Sequence, residues 1–185
     1  YTGADLGGFG ADTTEDLVLR WMQFGLFTPL MRNHSALGTR EQELYQFSNS
    51  KACGNMIKIR YSLLPYLYSE YMKAALRDEM MFRPLAFDYP EDSFADQVED
   101  QLMVGDSIMV APVHEQNAAG RYVYLPEDMM LVTMRTPEDY DVRVMEKGHH
   151  YVPAAMEELI FFIRKNHVIP VAKSARSVAD MVFEH

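Results

Sequence analysis

The sequence contains one cysteine, fewer basic than acidic residues and no long apolar run. Cys53 is its single cysteine, so no disulfide can form within the chain, and a reducing compartment such as the cytoplasm is the expected location. Lysine and arginine number 17 against 27 acidic residues, which gives a net charge of −10. Because nucleic acids and anionic membranes are bound by clustered basic side chains, neither is expected as a partner. No apolar run approaches the roughly 18 residues of a membrane-spanning helix.

The acidic balance suits a protein with a neutral ligand, although simple solubility accounts for the same balance. The chain is long enough to bury a sizeable core in one or two domains. What the composition leaves open is decided by the order of short motifs along the chain.

Two short apolar stretches near the start of the chain each end in polar residues. The run YTGADLGGF contains Asp5 and Phe9, and after one helix-like segment the run MRNHS contains Arg32 and His34. Strand, polar loop, helix, strand, polar loop is typical of a (β/α) barrel, whose active sites lie on the loops after the strands. A complete barrel needs roughly 250 residues, so we expect this chain to be a piece of a longer polypeptide.

The segment between these two runs predicts a helix over residues 12–30. Asp12 is the predicted N-cap, with Glu15 three positions later in a capping-box pattern. Pro29 ends this helix, and the residues from Pro29 to His34 predict a strand.

A longer helix is predicted over residues 52–77, where apolar side chains recur on one face. Pro65 lies inside it, and a proline in a helix interior bends the axis, so we expect a kink between Tyr61 and Pro65. The intervening residues 36–50 are polar and aromatic and predict a surface loop.

Beyond about residue 80 the pattern changes to short extended segments separated by turn signals. Their number and spacing predict an antiparallel sandwich, with a tight hairpin turn at Gly105. We therefore divide the chain into two domains, residues 1–80 and residues 81–185. The predicted extended segments are Met81–Tyr89, Asp100–Val104, Ser107–Val113, Arg121–Leu125, Met130–Met134, Tyr140–Met145, His150–Ala154 and Leu159–Val171.

Several of these motifs carry a family resemblance. GADLGGF, LRWMQFGLFTPL, RNHS and RYSLLPYLY resemble the C-terminal part of the catalytic barrel of glycoside hydrolase family 31, the family of α-glucosidases, isomaltases and α-xylosidases. RPL, DQLMVGD, MVAPV, YLP and NHVIPV resemble the proximal C-terminal β-sandwich that follows this barrel. The resemblance implies the last two βα units of a (β/α)8 TIM barrel followed by an antiparallel β-sandwich. The stretch from Glu127 to Glu158 departs most from the family pattern.

The resemblance implies a retaining α-glycoside hydrolase, which uses two carboxylates about 5–5.5 Å apart. In this family both are aspartates on barrel loops that precede the segment present here. Neither of the two family motifs that carry them occurs in the sequence. We therefore assign no nucleophile and no acid/base to this chain, and no metal or organic cofactor is implied.

The resemblance assigns sugar binding to four residues of this chain. His34 resembles a histidine that hydrogen-bonds sugar hydroxyls in the −1 subsite, and Asp5 resembles an aspartate that accepts from hydroxyls or holds Arg32 in a bidentate pair. Phe9 resembles an aromatic residue that packs on the apolar face of the sugar, and Arg32 is interpreted as the clamp that orients Asp5. The alternatives are that His34 only fixes a loop, that Asp5 caps a turn and that Phe9 is a core residue.

Other motifs have simpler interpretations. The glycines at the start of the chain lack the spacing of a dinucleotide fingerprint. His149 and His150 lie in a predicted sheet turn without further ligands at metal spacing, which indicates a surface pair. The tyrosines at helical spacing in the second helix are expected to pack against neighbouring elements; they are Tyr61, Tyr66, Tyr68 and Tyr71.

The sequence therefore predicts part of an α-glucosidase that acts on the non-reducing ends of malto- or isomalto-oligosaccharides. The expected partners are this oligosaccharide and the remainder of the catalytic barrel, and a homo-oligomer is possible. An α-glucosyltransferase or an α-xylosidase of the same family and a non-catalytic carbohydrate-binding module remain alternatives. A further alternative is a structural β-sandwich with an unrelated helical leader, which would place Asp5 and His34 far apart.

Overall fold

The computed structural model describes residues 2–173 and 175–181. Strands β1 (Gly3–Asp5) and β2 (Leu30–Arg32) pair in parallel, helix α1 (Glu15–Gly25) connects them, and helix α2 (Ser50–Arg77) follows. The predicted order of strand, helix, strand and helix is confirmed. Parallel neighbours joined through a helix are the connection that βα units use. Tyr1, with which the predicted first stretch begins, lies outside the described residues.

The predicted N-cap of α1 is wrong. Thr14, with extended backbone angles of φ −108° and ψ 160°, precedes the first turn, and its hydroxyl accepts from the backbone N–H of Leu17. Asp12 instead accepts from the backbone N–H of Arg40 at 2.6 Å. Glu15 is also engaged elsewhere, since its carboxylate accepts from the Ser48 hydroxyl. The side chains of Asp12 and Glu15, which the local pattern assigned to a capping box, thus make tertiary contacts instead.

Helix α1 also ends earlier than the predicted residue 30. Beyond Gly25 the backbone closes into tighter turns, because the N–H of Thr28 donates to the carbonyl of Gly25 at 3.0 Å. Arg60 of α2 donates to the carbonyls of Leu26 and Thr28 at 2.6 and 2.7 Å. These carbonyls therefore point at a guanidinium from the next helix, and the connection to β2 is fixed by α2.

Helix α2 matches its prediction closely and contains Pro65. It ends at Arg77, after which Asp78 adopts a left-handed conformation with φ 58°. The expected kink between Tyr61 and Pro65 stays a prediction. Of the helices within residues 2–173 and 175–181, none is both long enough and apolar enough to cross a membrane.

The tyrosines of α2 do not all pack as predicted. Tyr66 is buried, and its hydroxyl donates to the carbonyl of Val104 at 2.7 Å and accepts from the N–H of Ser107 at 2.9 Å. Burial raises the pKa of Tyr66 to about 12. Tyr68 is 63% exposed, so the packing prediction is wrong for this residue.

The rest of the chain is dominated by antiparallel strands. The strands are β3 (Phe82–Pro84), β4 (Leu102–Val104), β5 (Ile108–Val110), β6 (Gly120–Leu125), β7 (Met129–Met134), β8 (Tyr140–Met145), β9 (Gly148–Pro153) and β10 (Leu159–Arg164). Six of them form a sheet in the order β3-β4-β5-β10-β7-β8, and β6 and β9 pair as a separate two-stranded ribbon. The segment Met81–Tyr89 was predicted as extended, but only its first part is a strand, and helix α3 (Leu85–Asp88) follows directly. Short 3₁₀ turns occupy Leu44–Gln46, Ala95–Gln97 and Val178–Asp180.

Strand β10 shows how this sheet is buried on both faces. Alternate residues of a strand point to opposite faces. Phe161 belongs to the core that includes α1 and α2, whereas Phe162 belongs to a second core that includes Val123 and Val152 of the ribbon. The helices therefore cover one face of the sheet and the ribbon covers the other, which explains the nearly continuous apolar run of β10.

Two polar side chains on α1 connect the helix to loops of the antiparallel region. Arg20 is 6% exposed, and Gln23 is equally buried. Their side-chain nitrogens bind main-chain carbonyls at distances from 2.7 to 3.1 Å; Arg20 binds Ala118, Ala154 and Ala155, and Gln23 binds Met156. Arg20 also donates to the Gln23 side-chain oxygen at 3.0 Å. We call this pair the α1 latch.

Gly105 lies at the β4–β5 turn, where the sequence predicted a tight hairpin, and the antiparallel pairing confirms it. Its φ is +62°, and a Cβ there would lie 2.3 Å from Cγ of the buried Glu70. We expect Gly105→Ala to lower the free energy of unfolding by about 1–3 kcal/mol, because both backbone strain and a clash are introduced. Urea unfolding of the full-length protein measures the change.

Gly54→Ala is the matched control for Gly105→Ala. Gly54 lies inside α2, and a Cβ there would meet nothing within 4 Å. Alanine is favoured over glycine in a helix by about 1 kcal/mol, so this variant should be as stable as the parent or more so. Equal stability of the two alanine variants would contradict the role given to Gly105.

Candidate active site

The candidate site lies at the carboxyl ends of β1 and β2. Asp5 ends β1, Arg32 ends β2, and the two residues are register partners. The N–H of Leu6 donates to the carbonyl of Arg32 at 2.8 Å, so the pairing continues into the first loop. Gly3 permits the close approach of the strands, because a Cβ there would lie 2.2 Å from the carbonyl oxygen of Leu30. The ladder thus places the two following polar loops side by side.

Asp5 and Arg32 form an ion pair at this edge. Nε of Arg32 donates to Oδ1 of Asp5 at 2.6 Å; the Arg32 side chain is 53% exposed and the Asp5 side chain 17%. This hydrogen bond raises the pKa of the Arg32 guanidinium. The pair uses a single N–H and is not the bidentate fork that the sequence suggested as one option. Within the described residues, Oδ2 of Asp5 has no hydrogen-bond donor.

Phe9 and His34 form a second pair on the two loops. Their ring centroids lie 5.3 Å apart with planes inclined by 37°. Phe9 is 49% exposed, so it is not part of the core formed by the described residues. The carbonyl of Phe9 accepts from the N–H of Ala36 at 2.8 Å, so the two loops are joined by backbone as well as by rings.

Two glycines shape the loop that carries Phe9. Gly7 and Gly8 have φ values of +80° and +89°, a region that side-chain-bearing residues rarely adopt. A Cβ on Gly7 would lie 2.7 Å from Val18 and 2.9 Å from the Thr13 hydroxyl. The loop therefore turns sharply over the start of α1, and Phe9 lies beyond this turn.

Gln42 supports the His34 loop and was missed by sequence reasoning. This buried side chain donates to the carbonyl of Leu6 at 3.1 Å, to Oδ1 of Asn33 at 2.9 Å and to the carbonyl of His34 at 3.4 Å. Asn33 returns a hydrogen bond to the carbonyl of Gln42 at 2.8 Å. Gln42 lies in a polar loop without periodicity, so nothing in the pattern distinguishes it from its solvated neighbours.

The structure places the four predicted site residues at neighbouring strand ends. This contradicts the alternative of an unrelated helical leader, which would have separated Asp5 from His34. Chemically, the site offers a carboxylate acceptor, guanidinium and imidazole hydrogen-bonding groups and an exposed aromatic face. Such a set suits a neutral ligand that has several hydroxyls and one apolar face.

Candidate metal ligands do not cluster. Within residues 2–173 and 175–181, no group of three or more His, Cys, Asp or Glu side chains is arranged to hold a metal ion. His149 and His150 lie inside β9 and not in the predicted turn. The ring of His149 contacts those of Tyr124 and Phe94 at 4.8 and 5.3 Å, so it belongs to an aromatic surface.

Comparison with protein families gives two matches that together span most of the chain. A family model described as "Glycosyl hydrolases family 31 TIM-barrel domain" matches residues 1–70. A second, described as "Glycosyl hydrolase family 31 C-terminal domain", matches residues 78–169. The matches occur in the order in which the parallel and antiparallel parts of the structure follow each other.

Individual proteins give the same picture. The chain is 33% identical over 188 residues to alpha-glucosidase 2 of Bacillus thermoamyloliquefaciens. This alignment covers 100% of the present chain and 23% of that protein. A dextranase of Flavobacterium johnsoniae, solved with isomaltotriose, superposes with a TM-score of 0.80 at 27% identity, over 95% of this chain and 22% of the other. An alpha-xylosidase of Xanthomonas citri superposes with a TM-score of 0.79 at 26% identity, over 97% of this chain and 21% of the xylosidase chain. The chain thus spans about a fifth of the length of such relatives.

Proposed function

Because the chain belongs to glycoside hydrolase family 31, we propose that it is part of a retaining α-glucosidase that releases glucose from the non-reducing ends of malto- or isomalto-oligosaccharides. One observation carries this proposal. In a chain with α-glucosidase relatives, Asp5, Arg32, Phe9 and His34 occupy adjoining loops at the carboxyl ends of two parallel strands. Active sites of (β/α)8 barrels are built from such loops.

We assign β1, α1, β2 and α2 to the last two βα units of the barrel. Their parallel pairing and helical connection support this assignment. We place the domain boundary between residues 80 and 81, just after the end of α2 and the left-handed Asp78. The remainder of the barrel is the first partner of this chain, and it would supply the nucleophile and the acid/base as aspartates on earlier loops. Cytoplasmic location and homo-oligomerisation stay predictions.

In this proposal the chain holds the sugar while groups elsewhere in the polypeptide cleave the bond. His34 would hydrogen-bond hydroxyls of the glucose in the −1 subsite, and the ring of Phe9 would pack against the apolar face of the sugar. Oδ2 of Asp5 would accept from a hydroxyl while Arg32 keeps Oδ1 in place. Hydrogen bonds that strengthen as the sugar approaches the oxocarbenium-like transition state raise the rate of cleavage.

His34→Ala in the full-length enzyme should lower kcat/KM for an α-glucoside by roughly 10–100-fold, because one hydrogen bond to the sugar is lost. Steady-state kinetics with p-nitrophenyl α-glucoside measures the effect. His167→Ala is the matched control, since His167 is an exposed histidine outside the site whose ring contacts the Lys165 carbonyl. Kinetics of the His34 variant equal to those of the control would refute its assignment.

Substrate choice is tested directly on the full-length enzyme. Hydrolysis of maltose and isomaltose without hydrolysis of p-nitrophenyl α-xyloside supports the proposed function. The similarity to an alpha-xylosidase makes xyloside cleavage the second candidate. Hydrolysis of p-nitrophenyl α-xyloside without hydrolysis of maltose or isomaltose would establish that candidate. Analysis of products at high maltose concentration separates hydrolysis from glucosyl transfer. Failure to cleave any α-glycoside would overturn the proposal.

A further inference from the structure

A row of aromatic side chains lies on one face of the β6–β9 ribbon, and none of them belongs to the candidate active site. Tyr122 and Tyr151 are register partners, and their ring centroids lie 5.2 Å apart with planes inclined by 68°. They are 77% and 49% exposed. The adjacent Val123 and Val152 are buried in the core on the opposite face. The ribbon therefore directs apolar side chains inward and also exposes a tyrosine pair outward.

The aromatic row continues along the ribbon. Tyr124 lies two residues beyond Tyr122 on the same face, and its register partner is His149, with ring centroids 4.8 Å apart. Phe94, which is 54% exposed, contacts both rings at 5.6 and 5.3 Å. Tyr124 itself is only 4% exposed, so the exposed hydrophobic rings on this face are those of the Tyr122–Tyr151 pair and of Phe94. Exposed apolar groups that lie side by side, as the two tyrosines do, mark a binding surface more often than scattered single residues do.

Gly120 leaves room beside the tyrosine pair. A Cβ on Gly120 would lie 2.3 Å from the carbonyl oxygen of Val152 and 2.9 Å from the hydroxyl of Tyr151. Glycine at this position thus lets the two strands approach and accommodates the Tyr151 side chain.

Polar groups border the tyrosine pair on one side. The cavity beside the pair measures about 390 Å³, and its walls include Asp100, His114 and Glu115 as well as both tyrosines. The buried guanidinium of Arg121 contacts the half-exposed carboxylate of Asp100 at 2.5 Å and also donates to the carbonyl of Pro112. The carboxylate is therefore held at the cavity edge, where it could accept hydrogen bonds from the hydroxyls of a ligand.

Residues 112–118 border the cavity and also contact helix α1. The backbone N–H of Asn117 donates to Asp16 in the first turn of α1, and Arg20 binds the carbonyl of Ala118. The first turn of α1 directly follows the loop that carries Phe9. In a βα unit, the start of the helix lies on the side of the strand ends, which is the active-site side. The tyrosine pair and the candidate active site are thus linked through residues 112–118 and the first turn of α1.

We propose that Tyr122, Tyr151 and the cavity beside them bind neutral α-linked glucose chains as a second site, separate from the active site. This inference rests on the proposed function, because it takes the ligand class from that substrate. Each tyrosine offers an amphipathic ring, apolar on its face and polar at its hydroxyl. Two ring planes inclined by 68° suit successive sugars of a curved chain, and Asp100 provides an acceptor for hydroxyls.

The test is affinity electrophoresis of the full-length enzyme in gels that contain soluble starch or dextran. The double variant Tyr122→Ala, Tyr151→Ala should bind the polysaccharide roughly tenfold more weakly, whereas Tyr122→Phe, Tyr151→Phe should retain most of the binding. Tyr140→Ala is the matched control, because Tyr140 is 54% exposed on β8 and lies outside the ribbon. Hydrolysis of p-nitrophenyl α-glucoside should be unchanged in all three variants.

Two results would overturn the proposal. The first is migration of the alanine double variant that matches the parent enzyme in the presence of polysaccharide. The second is a change in its molar mass in solution with unchanged polysaccharide binding, which would identify the surface as a protein interface. If the double variant fails to fold, the single Tyr122→Ala variant, which removes the more exposed ring, decides between the same outcomes. Absence of glucoside hydrolysis in the parent enzyme would overturn the proposed function alone, since binding is measured separately.

Discussion

Asp5→Asn in the full-length enzyme is expected to lower kcat/KM for p-nitrophenyl α-glucoside about 100-fold, the size of effect that the loss of a charge-assisted hydrogen bond produces. Asparagine keeps the shape of the side chain but removes the charge that pairs with Arg32. Oδ1 is held by Nε of Arg32 at 2.6 Å, and Oδ2 has no donor within the described residues. A carboxylate presented in this way accepts more strongly from a sugar hydroxyl than an amide oxygen does.

A double-mutant cycle with Arg32→Met separates the two roles that the sequence left open for Asp5. If Asp5 contacts the sugar directly, Asp5→Asn should be much more harmful than Arg32→Met, and part of its effect should persist in the double variant. If Asp5 only positions Arg32, the two single variants and the double variant should be equally impaired. Activity of Asp5→Asn equal to that of the parent would remove Asp5 from the site altogether.

Arg20→Met should lower the free energy of unfolding by about 3–4 kcal/mol, the largest stability effect that we expect from one substitution in this chain. Methionine fills much of the same volume but leaves the carbonyls of Ala118, Ala154 and Ala155 without their donor. Arg20 is 6% exposed, so water does not readily replace these hydrogen bonds. Burial also lowers the pKa of this guanidinium, and nearby acidic residues such as Asp16 oppose that shift.

Urea unfolding of the full-length protein measures this loss, and Arg77→Met provides its matched control. The Arg77 side chain is 70% exposed, and its ion pair with Glu79 is long at 3.9 Å. Exposed pairs of this kind contribute about 0–1 kcal/mol. A loss for Arg20→Met no larger than that for Arg77→Met would show that the α1 latch does not hold the two parts of the chain together.

The sequence predicts most of the elements because each carries a strong periodic or turn signal. Strand β8 has the predicted bounds, and α2 extends the predicted helix by two residues at its start. The apolar run of β10 is prolonged because both faces of the sheet are covered, so the sequence marks the strand but not its end at Arg164. Local patterns therefore indicate where an element lies, but a continuous apolar run does not show where the element ends.

Side chains with long-range partners escaped prediction. Thr14 replaces Asp12 as the N-cap because Asp12 is bound to Arg40, which lies 28 positions away. Gln42 and Arg20 are polar residues whose partners are backbone groups on other segments. No spacing rule within a window reveals such contacts, since they depend on which loops meet in three dimensions.

The candidate site was more predictable than these supports, for a different reason. Asp5 and Arg32 follow apolar stretches, and parallel pairing of those stretches is sufficient to bring their ends together. The contact between Phe9 and His34 also depends on the turn at Gly7 and Gly8. The binding roles of the four residues came from family resemblance and stay predictions until the variants are measured.

The α1 latch has an evolutionary consequence. Its side chains recognise main-chain oxygen atoms only, apart from the contact between Arg20 and Gln23 themselves. The latch therefore requires a particular path of the backbone at residues 118 and 154–156, whereas the side chain of Ala154 is restricted separately by its burial in the core. A change in loop length there would move the acceptors away and break the junction. We expect homologues to vary at the exposed Ala155 and to exclude insertions and deletions from these loops.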